Sequence, residues 1–223
     1  MTNFVSLRVL LFVILSFIYV VFKPEPSWFA IFLKTLPVIY LCALVVDTIL
    51  GSKLKFVSQY DASVLAGLVL SGFGDAALVN AADDKRFFIL GLLLFALAHA
   101  SYIYAFGLKP FNIKLFTLFA ILGCGIHSLL HSGMARNGLA SLGGLYNILI
   151  MTMGWRALAR QTPPGNQTAR TWSAVGAILF VISDFVLGLN KFRAPIPYAQ
   201  TIIMVNYYAG QLGIALSVFG RAN

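Results

Sequence analysis

Apolar residues fill long unbroken stretches of this chain, and polar residues collect in short segments between them. Each stretch is close to the roughly 20 residues that an α-helix needs to cross the hydrocarbon core of a bilayer. The stretches are continuously apolar rather than alternating, which favours helices over the strands of a membrane barrel. Eight helices are predicted, over residues 4–22, 28–50, 60–79, 86–106, 113–131, 138–159, 170–189 and 197–219.

The composition also indicates an integral membrane protein. The 223 residues are 60% hydrophobic and only 10% charged, whereas soluble domains are about 45–50% apolar and about 25% charged. Eight helices use most of the chain, so we predict one all-α transmembrane domain over residues 1–223 and no soluble domain. Pro197 is predicted to open the last helix, and Pro37 to kink the second.

The net charge of +9 comes from Lys and Arg residues that are dispersed among short loops. Such dispersal is typical of interfacial anchors and topology signals, so we expect membrane lipids and not nucleic acid as partners. Six of these cations fall on one side of the predicted bundle, and nine fall on the side that holds both termini. The positive-inside rule therefore places both termini in the cytoplasm, and short loops fit a bacterial inner membrane. The nine are Arg8, Lys53, Lys55, Lys109, Lys114, Arg156, Arg160, Arg170 and Arg221.

Two aspartates lie inside apolar helices in matching surroundings. Asp75 follows Gly67 by eight residues, and Asp184 follows Gly176 by the same distance. A shift of 109 residues superposes the two pairs and carries predicted helices 2–4 onto helices 6–8. Because this shift spans four helices, the halves are expected to be two parallel four-helix repeats, with both acids at one depth. A charge near the bilayer centre costs at least about 2.5–3.5 kcal/mol, so we predict that the pair is catalytic.

Other polar residues in the apolar helices complete a candidate cavity. Lys34 is expected either to snorkel to the membrane surface or to keep one aspartate ionised. His99 and Tyr102 share a face of helix 4, and the repeat shift carries them to Tyr208 and Gln211. The histidines lack metal-ligand spacing, so neither a metal nor a cofactor is predicted. The predicted substrate-binding or water-positioning residues are Lys34, His99, Tyr102, Tyr146, Asn147, Tyr207, Tyr208 and Gln211.

Six short segments carry a resemblance to a known family. They are residues 34–37, 71–75, 95–106, 146–151, 176–184 and 207–211. In sequence and order they resemble segments of the lysoplasmalogenase, or YhhN-type, family of multipass membrane proteins. This resemblance implies eight spans and a lysophospholipid substrate whose vinyl ether is hydrolysed to a fatty aldehyde and glycerophosphoethanolamine or glycerophosphocholine. It also implies that Asp75 and Asp184 are the catalytic pair.

The chemistry of a vinyl ether suits two carboxyl groups. The ether is cleaved once its outer alkene carbon is protonated, because protonation gives an oxocarbenium ion to which water adds. Two carboxyls in one low-dielectric pocket are expected to divide into a protonated acid and a carboxylate. Paired carboxylates meet a similar oxocarbenium ion in glycosidases. One aspartate would donate the proton while the other stabilises the cation and orients water, and the sequence allows either assignment.

Two other classes of protein fit the same residues. Parallel repeats with an intramembrane acid pair also suit a proton-coupled transporter or a lipid scramblase. A structural membrane protein with buried ion pairs is the third reading. Flux across liposomes would indicate the transporter, and a loss of stability alone on neutralising either aspartate would indicate the structural protein.

Overall fold

Residues 2–51, 57–160 and 167–219 are described by the computed structural model, and within them the chain forms eight α-helices and no strand. Six of these helices are long and apolar enough to cross a membrane, and Leu7–Phe22 forms a shorter apolar helix. The predicted all-α membrane bundle is therefore confirmed. In chain order the helices are α1 (Thr2–Phe22), α2 (Trp28–Gly51), α3 (Gln59–Val79), α4 (Lys85–Phe106), α5 (Ile113–Arg136), α6 (Ala140–Ala159), α7 (Gln167–Phe192) and α8 (Ala199–Phe219).

Several of the predicted helix ends differ from the structure by a few residues. The prediction that Pro197 opens the last helix was wrong, because the chain turns at Tyr198 with a left-handed φ of 58° and α8 begins only afterwards. The predicted end of helix 5 at residue 131 was also too early. That helix continues to Arg136, the Asn137 side chain then donates to the Gly133 carbonyl at 2.8 Å, and Gly138 turns the chain at a φ of 64°. Pro37 lies inside α2, which continues through it.

Several helix contacts recur in the two halves of the chain. α3 packs along α4 and α7 along α8, while α2 contacts α8 and α6 contacts α4. The shift of 109 residues carries α3 and α4 onto α7 and α8. It likewise relates the contact between α2 and α8 to the contact between α6 and α4. Tyr102 and Gln211 are themselves equivalent under that shift, and the Tyr102 hydroxyl donates to Gln211 Oε1 at 2.8 Å. The two halves therefore meet through equivalent positions of α4 and α8.

Two of the cations that were counted for topology are buried in the bundle. Arg156, in the last turn of α6, donates from Nε to the Gly107 carbonyl at 2.5 Å and from Nη1 to the Pro110 carbonyl at 2.8 Å. Arg160 lies over the Tyr60 ring, 4.6 Å from its centre. Arg156 thus fastens the connection between α4 and α5. Three other cations of that count lie outside the described residues, namely Lys53, Lys55 and Arg221.

Candidate active site

A cavity of about 500 Å³ lies inside the bundle, and both intramembrane aspartates line it. All helices from α2 to α8 contribute to its wall. It runs from the aspartates to one end of the bundle, which we call the mouth. At the mouth, Ala81 and Ala82 join α3 to α4, and Lys191 lies in the last turn of α7. The predicted site residues that line the cavity are Lys34, Asp75, Tyr146, Asn147, Asp184 and Tyr207.

Asp75 is bound on two sides and is only 2% exposed. Lys34 Nζ lies 3.6 Å from Asp75 Oδ1, and the Tyr207 hydroxyl donates to Oδ2 at 2.5 Å. Because Lys34 is itself only 5% exposed, the expectation that it snorkels to the surface was wrong, and the alternative of a partner for an aspartate is the one observed. Tyr208 holds the same stretch of α2 by donating to the Lys34 carbonyl at 2.8 Å.

Small residues around Asp75 let aromatic rings of α4 approach α3. A Cβ on Gly67 would overlap the Tyr102 ring, and one on Gly74 would lie 2.8 Å from two atoms of the Phe95 ring. Phe95 in turn packs edge-on against Tyr207, with ring centres 5.7 Å apart. Gly74 therefore makes room for the ring that packs against the Tyr207 phenol, because close helix contact needs small residues.

Asp184 has different partners. The Tyr146 hydroxyl donates to Asp184 Oδ2, and His99 Nε2 lies 3.7 Å from the same oxygen and 3.0 Å from the Tyr146 oxygen. The Asp184 side chain is 16% exposed, so it is the more accessible of the two acids. The Phe180 ring packs between the two groups, 4.9 Å from the His99 ring and 5.3 Å from that of Tyr207.

The two acids therefore share a cavity but not an environment. Asp75 faces an ammonium group, whereas Asp184 faces an imidazole and a phenol. The repeat does not reproduce the ammonium, because the position that corresponds to Lys34 in the second half is Gly143. The arrangement can hold one acid as a paired carboxylate beside a second that can exchange a proton through its hydrogen bonds.

Three predicted residues lie behind the cavity wall. Tyr102 and Gln211 bind each other, and Tyr208 binds the Lys34 backbone and packs edge-on against Tyr19. All three are buried, and none lines the cavity. His99 is also absent from the lining, but it contacts Asp184.

Several polar residues that line the cavity were not singled out in the sequence. Ser183 precedes Asp184 and donates to the Ile203 carbonyl at 3.0 Å. Lys191 was assigned to a loop, although it stands seven residues after Asp184 and therefore on the same helical face. His127, in α5, lines the cavity as well. If helix 7 had been predicted to continue past residue 189, its periodicity would have placed Lys191 on the same face as Asp184.

A second cavity, of about 540 Å³, lies between α5 and α6. Its lining is mainly apolar and includes Phe116, Phe119, Ile148 and Trp155. It adjoins the first cavity, because three residues line both cavities. These are His127, Asn147 and Met151. Asn147 also joins the two helices, since its Nδ2 donates to the Gly123 carbonyl at 3.0 Å.

Metal-ligating side chains do not cluster in the part of the chain that the structure describes. No group of three or more His, Cys, Asp or Glu residues there is arranged to hold an ion. His127 and His131 pack ring to ring, 5.2 Å between centres, with no acidic residue completing a ligand set.

The fold and the cavity define a helical membrane protein in which two acids face one buried site. The chain belongs to the YhhN family, whose family model matches residues 29–218.

The chain is 36% identical over 195 residues to human lysoplasmalogenase TMEM86A, and the match covers 86% of this chain and 79% of the human protein. It is 35% identical over 197 residues to bovine lysoplasmalogenase TMEM86A, with the same coverage of 86% and 79%. Human lysoplasmalogenase TMEM86B is 34% identical over 196 residues, covering 87% of this chain and 77% of that protein. No solved structure matches the chain significantly. The family resemblance of the sequence motifs is thus confirmed.

Proposed function

We propose that this protein is a lysoplasmalogenase, which hydrolyses the vinyl ether of a lysoplasmalogen to a fatty aldehyde and glycerophosphoethanolamine or glycerophosphocholine. The observation that carries the proposal is the single cavity lined by two aspartates with different partners. The names of the three relatives support the same reaction. Those names give no support to the transporter or scramblase alternative.

We assign the carboxylate role to Asp75 and the acid role to Asp184. Asp75 forms an ion pair with Lys34 and is almost completely buried, which is the setting of a carboxylate that stabilises a nearby cation. Asp184 is more exposed to the cavity and is hydrogen-bonded by Tyr146, which also contacts His99. This hydrogen-bonded group can return a proton to Asp184 after each turnover.

The reaction then follows in three steps. Asp184 donates its proton to the outer alkene carbon, and the alkene electrons form the new C–H bond and leave an oxocarbenium ion beside the Asp75 carboxylate. Water adds to the cation and loses a proton to the hydrogen-bonded group of Asp184, Tyr146 and His99, which leaves Asp184 protonated again and gives a hemiacetal. The hemiacetal C–O bond then breaks as the hemiacetal hydroxyl loses its proton and forms the aldehyde C=O bond, and the glycerol oxygen takes up one proton in exchange. Paired carboxylates stabilise the same type of cation in glycosidases.

The alkenyl chain of the substrate fits the cavity between α5 and α6. This cavity adjoins the site of the aspartates and is lined by apolar side chains such as Phe119 and Ile148. Several residues of its wall are exposed on the outside of the bundle, among them Ala120 and Cys124, so the chain would pass laterally into the lipid. The aldehyde product would leave by the same path.

We place the protein in a bacterial inner membrane with both termini in the cytoplasm. The excess of Lys and Arg on the side of the termini supports this orientation. The cavity mouth lies at the other end of the bundle, where α3 connects to α4. The headgroup of the substrate would then enter from the side opposite the cytoplasm.

The decisive experiment measures aldehyde release from lysoplasmalogen by the purified protein in detergent. Asp75→Asn and Asp184→Asn are each expected to lower kcat by about 100-fold or more, because a positioned proton donor contributes about 10²–10⁴-fold and one group that stabilises the transition-state charge contributes about 10²–10³-fold. Asp47→Asn is the matched control, since this acid pairs with Arg8 at the surface, 2.7 Å away. Substantial activity in both site variants would overturn the proposal.

The same variants also separate enzymatic from purely structural roles. Their melting temperatures in detergent are measured beside the rates. A structural role for the aspartates requires that activity per folded molecule stays at the wild-type level while stability falls. The proposed role requires that activity is lost even in molecules that remain folded at the assay temperature.

A further inference from the structure

One face of α7 runs along the cavity from the aspartate to the mouth. Asp184, Leu187, Gly188 and Lys191 all line the cavity, and their spacing of three, four and seven residues is that of one helical face. With a rise of about 1.5 Å per residue, Lys191 lies roughly 10 Å from Asp184 along the helix. The cavity therefore carries an acid at its inner end and an ammonium group at its mouth.

The other lysines near this cavity already have polar partners. Lys34 pairs with Asp75 at 3.6 Å. Lys23 Nζ donates to Thr201 Oγ1 at 2.5 Å, and Lys85 Nζ donates to the Asn137 carbonyl at 2.5 Å. Each of these three ammonium groups is thus engaged within the protein.

Lys191 differs from them in its partner. Its Nζ lies 4.1 Å from the centre of the Phe88 ring, which also lines the cavity. Within residues 2–51, 57–160 and 167–219, no carboxylate lies within 4 Å of that nitrogen. The ring occupies one side of the ammonium group and holds it in place. Its other N–H donors are left for an anion in the cavity mouth.

A lysoplasmalogen carries an anion at the matching distance. Asp184 protonates the outer alkene carbon, and seven bonds join that carbon to the phosphorus, so the two atoms lie about 8–9 Å apart in an extended chain. One contact of about 3 Å at each end brings the total to roughly 14–15 Å, which the carboxyl and ammonium groups can span because their side chains extend from backbone positions roughly 10 Å apart. A vinyl ether at the aspartates therefore places the phosphate at the mouth.

We propose that Lys191 binds the phosphate of the lysophospholipid substrate and so selects phospholipids over neutral ether lipids. This inference rests on the proposed function, because that function places the vinyl ether beside the aspartates. The Phe88 ring orients the ammonium group, and the phosphodiester oxygens accept its hydrogen bonds. Lys191 acts on substrate binding and takes no part in proton transfer.

The test measures binding of two unreactive lipids to purified protein in detergent. The first is a lysophospholipid with a saturated ether in place of the vinyl ether, and the second is the corresponding alkylglycerol, which lacks phosphate. Lys191→Met is expected to weaken binding of the phospholipid about tenfold, the effect of losing one charge-assisted hydrogen bond. It should leave binding of the alkylglycerol unchanged, and Lys191→Arg should bind both as the wild type does.

Arg193→Met is the matched control, because Arg193 is an exposed cation two residues further on that does not line the cavity. It should bind both lipids normally. Unchanged phospholipid binding by Lys191→Met, or an equal loss for both lipids, overturns the proposal. Inorganic phosphate is added as a competitor. If it binds the wild type as tightly as the lysophospholipid does and Lys191→Met abolishes both, the site is one for free phosphate and the headgroup assignment is wrong.

Hydrolysis assays keep this inference separate from the proposed function. With lysoplasmalogen, Lys191→Met should raise KM about tenfold and keep kcat within about twofold. With the alkenylglycerol that lacks phosphate, it should change neither constant. A wild-type protein that hydrolyses neither substrate but binds the lysophospholipid through Lys191 would refute the proposed function and leave the phosphate site standing.

Discussion

At the scale of single residues, the ion pair between Lys34 and Asp75 is a feature with a large energetic consequence. Both side chains are buried, so removing one partner leaves the other charge without compensation. Lys34→Met is expected to lower the free energy of unfolding by about 3–5 kcal/mol, the usual effect of breaking a buried pair from one side. The measurement is thermal or denaturant unfolding in detergent.

A second substitution tests whether charge is the cause. Adding Asp75→Asn to Lys34→Met removes the unpaired carboxylate, so the double variant should be more stable than Lys34→Met alone. It should still lack activity, because Asp75 is the proposed carboxylate. Equal stability of the single and double variants would show that Asp75 does not carry the charge that the ion pair implies.

Tyr146 offers a test of the group around Asp184. Its hydroxyl contacts both His99 Nε2 and Asp184 Oδ2, while its ring packs edge-on against His99. Tyr146→Phe keeps the ring and removes the hydroxyl. Asp184 becomes a carboxylate as it gives up its proton, and a hydrogen bond to a charged group contributes about 1.5–3 kcal/mol, so kcat should fall about 10- to 100-fold.

The control for this variant is Tyr104→Phe, since Tyr104 is 63% exposed on the outside of α4. Both variants are assayed for aldehyde release at saturating lysoplasmalogen. Full activity in Tyr146→Phe would remove the phenol from the proposed proton path and leave His99 as the neighbour that returns the proton.

At the scale of helices, the contact between α7 and α8 depends on glycine. A Cβ on Gly176 would lie 2.6 Å from the Gly210 carbonyl oxygen and 2.7 Å from the Ile214 nitrogen, and both are backbone atoms. Gly176→Ala must therefore separate the helices and should cost about 1–3 kcal/mol of stability. Gly125→Ala is the opposite case, because a Cβ there has no neighbour within 4 Å.

The two glycine variants are compared by melting temperature in detergent. Gly125→Ala should equal or exceed the wild type, since alanine favours a helix over glycine. Gly176→Ala should melt lower and lose activity in proportion to the unfolded fraction. Equal melting temperatures would mean that α7 and α8 can move apart without cost.

The pair α5 and α6 carries the proposed path of the alkenyl chain. Ala120 is exposed on the outside of the bundle and lines the second cavity, so a tryptophan there fills the path without entering the core. Ala120→Trp should lower kcat/KM about tenfold for a long-chain lysoplasmalogen, because a steric misfit costs about 1–3 kcal/mol. A short-chain analogue should be hydrolysed as by the wild type.

Ala100→Trp is the matched control, since Ala100 is equally exposed on α4 and lines neither cavity. It should hydrolyse long and short chains normally. If Ala120→Trp changes kcat/KM equally for long and short substrates, the alkenyl chain takes another route between the helices.

The helices and the two acids could be predicted because an apolar run of fixed length and a charge within it are both visible in a sequence. The sequence could not predict which of the neighbouring polar side chains reach the cavity and which lie behind its wall. His99 and Tyr102 share one face, yet only His99 contacts an aspartate, whereas Tyr102 lies behind the wall against Gln211. Where the cavity ends along a face depends on how far the helices slide past each other, and contacts such as that at Gly176 set this distance.

At the scale of the whole molecule, the orientation in the membrane remains a prediction from charge. A variant without Cys42 and Cys124 receives one new cysteine, by Ala194→Cys between α7 and α8 or by Leu108→Cys between α4 and α5. Ala194→Cys should react with an impermeant maleimide in intact cells, and Leu108→Cys only after lysis. The reverse pattern would place both termini and the α4–α5 connection outside.

The unequal partners of the two aspartates have a consequence for how such a site can exist at all. A homodimer of four-helix subunits would have to give both its acids the same neighbours, because each subunit repeats the other. Here Lys34 stands beside one acid, and glycine occupies the corresponding place in the other half. Joining both halves in one polypeptide lets each position mutate alone. A bundle built from two equivalent halves can then hold two aspartates with different roles, one as an acid and the other as a carboxylate.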